Sequence, residues 1–302
     1  MVNVVVSPDR IDWKCKAKEE VKFTVQVFKN ENLLKDVVVD YELGPEYFPT
    51  VVKKDVRLAD GKTILKAKMN EPGFLRCRVT AKVDGRKYEG MATVGVDETR
   101  IRPTTVNPED FDAFWDEEVK KVSVLPAYQW EEKDFHIPQV RCYELTFEGT
   151  NEGRVYARIV LPKTEEKVPL IFHFHGYMGR GWDWTDMLAF TVAGYGVVSM
   201  DVRGQSGYSL DGGAPVRGNT VKGQIIRGAV DGPERLFYKD VYLDIYSLVE
   251  IVASLDLVDE DHLSSYGASQ GGALALVAAA LNPRIKQTVA IYPFLSDFRR
   301  VL

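Results

Sequence analysis

The hydrophobic rhythm of this 302-residue chain changes near residue 100, so no single architecture suits both of its parts. Up to residue 97, apolar and polar residues alternate in short runs such as Val21-Lys22-Phe23-Thr24-Val25-Gln26-Val27 and Leu75-Arg76-Cys77-Arg78-Val79-Thr80-Ala81. A period of two places every second side chain on one face, the pattern of a half-buried strand. Turn chemistry separates the runs at Lys29-Asn30-Glu31-Asn32, Ala59-Asp60-Gly61-Lys62, Glu71-Pro72-Gly73 and Val83-Asp84-Gly85-Arg86. Residues 1–97 are therefore expected to form an immunoglobulin-like β-sandwich, with Trp13, Phe23, Phe28 and Phe74 packed in its core.

Residues 98–106 read as a linker, and residues 107–302 as an α/β domain. Asn107 is expected to cap a helix that has Pro108 at its first position and Glu109 and Asp110 near its positive end. Phe111, Phe114, Trp115 and Val119 would share one face of it. Residues 139–161 read as a hairpin around Gly149-Thr150-Asn151-Glu152-Gly153. Nearly continuous apolar runs follow at 168–174, 196–200, 263–266 and 287–291, as befits strands covered on both faces. Helical stretches at about 182–193, 239–256 and 270–281 separate them, which predicts right-handed crossovers and a mostly parallel sheet. Residues 205–238, rich in glycine and without periodicity, predict a long excursion near the site.

Composition excludes several roles. A net charge of −5 leaves no basic face for nucleic acid, and no apolar run approaches the length of a membrane span. Met1-Val2-Asn3-Val4-Val5-Val6 lacks a basic leader and reads as a strand. Cys15, Cys77 and Cys142 are odd in number and widely spaced, which suggests unpaired thiols and a cytoplasmic location.

Gly267-Ala268-Ser269-Gln270-Gly271 joins the run ending at Tyr266 to an Ala/Leu-rich helix. Gly-x-Ser-x-Gly between strand and helix is the setting of a nucleophile elbow, where a strained turn lifts the serine hydroxyl clear of the sheet. Ser269 is thus the candidate nucleophile. The Gln270 N–H, at the helix N-terminus, faces the charge that would develop during attack. A second donor is expected from the Tyr177 N–H in His173-Phe174-His175-Gly176-Tyr177, where Gly176 lets the backbone approach. His173 and His175 alternate along a strand, so they point to opposite faces and form no metal pair.

His175-Gly176-Tyr177, Asp201-Val202-Arg203-Gly204-Gln205, Ile226-Arg227-Gly228, Gly267-Ala268-Ser269-Gln270-Gly271-Gly272 and Pro293-Phe294-Leu295-Ser296-Asp297 occur in that order. From about Asn107 onward, the chain resembles the acetyl xylan esterase / cephalosporin-C deacetylase family, carbohydrate esterase family seven. The resemblance implies an α/β-hydrolase fold and removal of acetyl groups from xylo-oligosaccharides or similar small esters, without a cofactor or metal. It carries the nucleophile onto Ser269 and the oxyanion donors onto Tyr177 and Gln270, with Arg203 and Gln205 bracing the site. It also implies a homo-oligomer, commonly a ring. The N-terminal sandwich departs from the usual family layout.

A second departure concerns the general base. In this fold the triad runs Ser, Asp, His, yet all four histidines, His136, His173, His175 and His262, precede Ser269. His262 lies too far along its strand to reach the serine, and Asp297 comes too early to be the triad acid. The last strands, with their Asp and His, are expected to lie outside this chain, leaving the strand near Val289 as an open edge. Two other functions fit the same residues: a catalytically silent binding module, or a related serine hydrolase or peptidase with an N-terminal β domain.

Overall fold

A computed structural model describes residues 1–122, 125–212 and 226–297. The chain divides into two units, Met1–Thr104 and Thr105–Leu302. The division falls inside the stretch read as a linker. Part of the 205–238 excursion, residues 213–225, lies outside the described residues.

The first unit is built of strands β1 (Val2–Pro8), β2 (Lys14–Cys15), β3 (Val21–Lys29), β4 (Asn32–Leu33), β5 (Val37–Pro45), β6 (Val51–Leu58), β7 (Lys62–Ala67), β8 (Gly73–Val83) and β9 (Arg86–Val96). One sheet gathers β1, β4 and β7 on β3, all antiparallel. The other runs β2-β9-β8-β5-β6, antiparallel except for the short β2–β9 pair. Asn30 and Glu31 both take positive φ, as do Asp84 and Gly85, the signature of two-residue hairpin turns. Val21, Phe23, Val25 and Val27 from one sheet and Leu75, Cys77, Val79 and Ala81 from the other form a single buried cluster.

Three of the aromatics assigned to this core lie outside it: Phe28 is only half-buried, on the opposite face of β3 from Val27 and apart from the cluster, and Phe74 and Trp13 are exposed. Phe74 is 38% exposed, because the alternation that turns Leu75 inward turns its neighbour outward. Trp13, at φ 58° in the turn before β2, is 46% exposed.

The second unit contains α1 (Phe111–Lys121), β10 (Tyr128–Lys133), β11 (Val140–Glu148), β12 (Arg154–Pro162), β13 (Val168–Phe174), α2 (Trp184–Val192), β14 (Gly196–Asp201), α3 (Phe237–Ala253), β15 (Val258–Ala268), α4 (Gln270–Leu281) and β16 (Ile285–Ile291). Its sheet runs β10-β11-β12-β14-β13-β15-β16. The sheet is mixed rather than mostly parallel. Strands β14, β13, β15 and β16 are parallel, whereas β10, β11 and β12 form an antiparallel meander joined antiparallel to β14. The short 149–153 connection leaves no room for a crossover, so β11 and β12 must reverse direction.

Both faces of the sheet are covered, which explains the unbroken burial of Val155–Leu161 in β12, Arg158 included. Leu170, Phe172, Phe174, Ile245, Val249, Leu274 and Ala278 join one core between the sheet and α3 and α4. Met187 of α2 packs with Val160, Val197 and Cys142 in another. No described helix is long and apolar enough to cross a membrane.

Helix α1 begins at Phe111, with Asp110 rather than Asn107 at the N-cap position. A separate turn precedes it, in which the Phe111 N–H donates to the Pro108 carbonyl at 3.1 Å. Trp115 packs on Tyr242 of α3 with ring centres 5.7 Å apart, and buried Glu118 pairs with Lys239 at 3.1 Å. Phe111 stays 39% exposed, outside that contact.

Candidate active site

The site begins where β15 ends. Ser269 has φ 57° and ψ −122°, a conformation that costs an L-residue free energy and persists only where its surroundings enforce it. Three glycines permit the turn. A Cβ on Gly271 would overlap the Phe174 carbonyl, one on Gly267 the Gly271 carbonyl, and one on Gly272 would sit 2.8 Å from the Ile291 oxygen. Two hydrogen bonds then clamp the serine backbone: its N–H donates to the Ile291 carbonyl, and its carbonyl accepts from the Phe294 N–H, both at 2.9 Å. The Ser269 side chain is left exposed to solvent. Helix α4 starts at the next residue, so the Gln270 N–H is among the first-turn donors that have no intrahelical acceptor.

The loop after β13 passes beside this turn. A methyl group at position 176 would lie 4.0 Å from the Ser269 Cβ and 3.8 Å from the Ala268 carbonyl. That is ordinary contact, so Gly176 marks proximity to Ser269 without being sterically demanded. The Met178 N–H donates to Gln205 Oε1 at 2.8 Å, and the Gly179 N–H to the Gly176 carbonyl at 3.0 Å. The Tyr177 N–H finds no acceptor among the described residues.

Gln205 joins this loop to the elbow. Its Nε2 donates to Gln270 Oε1 at 2.8 Å, and Gln270 Nε2 returns a bond to Gln205 Oε1 at 3.2 Å. Tyr238 of α3 donates its hydroxyl to the same Gln270 Oε1 at 2.8 Å, and the Gln270 side chain is fully buried. Sequence reasoning used Gln270 only for its backbone. Its side chain is the junction of three segments.

Arg203, also fully buried, does not reach Ser269. Its Nε and Nη2 donate to Asp244 at 2.7 and 2.6 Å, and its Nη1 to the Thr150 carbonyl at 2.8 Å. Asp240 and Asp211 stand 3.7 Å away, and Asp211 also pairs with Arg227. Burial disfavours the guanidinium charge, yet the neighbouring carboxylates, Asp244 first, raise its pKa above the ordinary value. Arg203 thereby locks the β11–β12 turn to α3, beneath the segment that carries Gln205. Asp240 and Asp244 were not singled out from the sequence. Two carboxylates four residues apart in an apolar helix were the available signal, since they require a buried cation.

Asp201, at the end of β14, has a role that its motif does not reveal. Its Oδ1 accepts from the Gly181 N–H at 2.6 Å and its Oδ2 from the Tyr208 N–H at 2.7 Å, which ties two loops to the strand.

The four histidines are engaged elsewhere. His173 stacks on Trp182 with ring centres 3.7 Å apart and bonds Ser199 Oγ at 2.8 Å; burial lowers its pKa to about 3. His175 bonds backbone groups on either side of its ring. His136 and His262 are exposed beside Asp134 and Asp259. Asp297 lies six residues beyond the end of β16.

Comparison with known proteins matches this geometry to one family. The acetyl xylan esterase (AXE1) family matches residues 93–302. The chain is 30% identical over 299 residues to acetyl esterase Axe7A of Xylanibacter ruminicola, covering 96% of this chain and 66% of that protein. That match takes in both units, so the N-terminal unit has a counterpart in a relative. Among solved structures, acetyl xylan esterase 1 of Thermoanaerobacterium sp. JW/SL YS485 is 44% identical with a TM-score of 0.63, covering 66% of this chain and 63% of that one. The acetyl xylan esterase of Paenibacillus sp. R4 is 31% identical with a TM-score of 0.61, covering 66% and 64%. The chain thus spans just under two thirds of the length of each of these relatives. With an α/β-hydrolase-like fold and a family match over more than half of its length, the chain belongs to the acetyl xylan esterase family.

Proposed function

We propose that this chain carries the nucleophile and oxyanion site of a serine carbohydrate esterase. Its substrates would be acetylated xylo-oligosaccharides or similar small acetyl esters, including those of the cephalosporin-C deacetylase type. The observation that carries this reading is the enforced backbone of Ser269, which holds an exposed hydroxyl beside the start of α4 and the loop of Tyr177.

In the proposed reaction, Ser269 Oγ attacks the acetyl carbonyl as its proton passes to a general base. The N–H groups of Tyr177 and Gln270 receive the negative oxygen of the tetrahedral intermediate. Collapse expels the sugar hydroxyl and leaves acetyl on Ser269, and water then releases acetate by the same route in reverse. None of the four histidines bonds Ser269, so this reading draws the base and its orienting acid from outside these 302 residues. Gln205 and Arg203 act at a distance from the ester, as braces of the two donor segments. The two-sheet N-terminal unit is read as an immunoglobulin-like sandwich. A homo-oligomer is supported by the family resemblance, and a reducing, cytoplasmic setting by three unpaired thiols.

The test compares acetate release from acetylated xylo-oligosaccharides by the full-length gene product and by its Ser269→Ala variant. Loss of nearly all activity in the variant is expected. Equal rates would remove Ser269 from the reaction, and would leave a binding module or another hydrolase as the reading.

A further inference from the structure

In the loop after β13, the backbone groups around Tyr177 each have a partner. The Gly176 carbonyl accepts from the Gly179 N–H at 3.0 Å and lies 2.7 Å from His175 Nδ1. The Met178 N–H is held by Gln205 Oε1, and the Met178 carbonyl accepts from the Ser206 hydroxyl at 2.5 Å. The Gly176 carbonyl and the Tyr177 N–H belong to one peptide unit. That unit is planar and trans, so its C=O and N–H bonds point in opposite directions. Whatever fixes the carbonyl also fixes where the N–H points.

The hydrogen bonds of His175 settle its protonation. Its Nε2 lies 2.9 Å from the Val202 N–H, which can only donate, so Nε2 must carry a lone pair. Its Nδ1 faces the Gly176 oxygen, which can only accept, so Nδ1 must carry the proton. The residue is 5% exposed, and a Cβ on Gly179 would sit 2.9 Å from the Gly176 oxygen and 3.2 Å from Nδ1. Gly179 thus leaves the space in which the Nδ1–Gly176 contact sits.

We propose that His175 is a positioning residue: as a neutral, Nδ1-protonated ring bridging Val202 and Gly176, it sets the plane of the 176–177 peptide and so aims the Tyr177 N–H at the ester oxygen. This rests on the reading of Ser269 as nucleophile. Burial lowers the His175 pKa, which favours the neutral ring, against opposing pulls from the Gly176 carbonyl and then Asp201; burial likewise keeps the nearby His173 neutral.

Two measurements test the assignment. ¹⁵N-histidine spectra of the full-length gene product, with the ring signal that disappears in His175→Asn assigned to His175, show where its proton lies. At neutral pH, His175 is expected with its proton on Nδ1. A proton on Nε2, or a charged ring, overturns the proposal. The second measurement takes kcat and KM for acetate release by the full-length gene product. His175→Asn keeps an amide donor near the Nδ1 position, whereas His175→Gln places its amide near Nε2 and leaves the Gly176 oxygen without that donor.

Full loss of one oxyanion donor costs about 10²–10³ in rate, so the Gln variant should lose roughly 10-fold or more in kcat with KM nearly unchanged. The Asn variant should keep most of kcat. A Gln variant with full kcat, or an Asn variant as slow as the Gln variant, overturns the role of His175. Ser269→Ala run alongside separates the two claims, because an active Ser269→Ala protein sinks the esterase reading itself. Should the Gln variant fail to fold, the ring-proton measurement decides.

Discussion

At position 269 a functional demand is paid in backbone strain. The φ of 57° costs an L-residue on the order of 1–3 kcal/mol, and glycine would adopt the same turn more easily. Ser269→Gly should therefore abolish acetate release while raising stability by about 1 kcal/mol, read as a higher urea midpoint. A lower midpoint would show that the turn is unstrained. The strained serine and its flanking glycines were legible in the sequence because the constraint is local: glycines two residues to either side are what the strand-to-helix crossing requires. The Gln270 side chain was not legible. Its partners Gln205 and Tyr238 lie 65 and 32 residues away, and nothing in the pentapeptide points to them. Thiol chemistry offers a further residue-level check. Burial pushes the Cys77 pKa up to about 12, whereas Cys15 is only partly buried, so an alkylating reagent should modify Cys15 first in the native protein. Mass spectrometry of the labelled peptides checks the order, and early modification of Cys77 would contradict its burial.

Among the elements, β13 and α4 have the bounds that the sequence predicts, 168–174 and 270–281, because the mainly apolar runs give way there to His175-Gly176 and to Asn282. Helix α1 starts later than expected, because the residues after Asn107 form a separate turn, closed by the Phe111 N–H on the Pro108 carbonyl, before the helix begins. The β11–β12 hairpin was legible at its 149–153 turn, whereas β10 and the antiparallel joining of β12 to β14 were not. Strand β12 is buried on both faces, so its composition does not show which way its second neighbour runs. Helix α3 joins the rest through Arg203, and this bond carries a prediction. Replacing Arg203 with Met leaves Asp244 buried without its cation, a loss of about 3–5 kcal/mol. Adding Asp244→Leu to that variant should restore much of the stability, because the fully buried carboxylate that Arg203 meets most closely is then gone. Urea denaturation of the single and double variants measures both effects. Additive losses would place the worth of Arg203 in its packing.

For the molecule as a whole, the buried histidines set a limit on acid tolerance. His173 protonates at about 3 in the folded protein, against 6.5 for an ordinary histidine. The unfolded chain therefore takes up the proton first as pH falls. The stability that this group contributes is complete above its unfolded pKa and is lost on acidification from there toward 3. The loss reaches about 2 kcal/mol near pH 5, from 1.36 kcal/mol per unit. Urea midpoints at pH 7.5 and about pH 5 check this, and His173→Gln should flatten the dependence. Equal midpoints in the unaltered protein would mean that the ring titrates normally. Each unit also has its own buried cluster, in keeping with the change of hydrophobic rhythm that divides the sequence.

The clamp on Ser269 comes from residues made later than the serine itself. The Ile291 carbonyl and the Phe294 N–H close the elbow, and both follow it in the chain. A conformation that must be enforced cannot hold before its enforcers exist. On the ribosome, the nascent β15 and α4 would emerge first with a relaxed serine backbone, and the hydroxyl would gain its reactive pose only once β16 had docked. Chain order thus sets when the turn can form: the serine backbone is held only after the strand that follows α4 is in place.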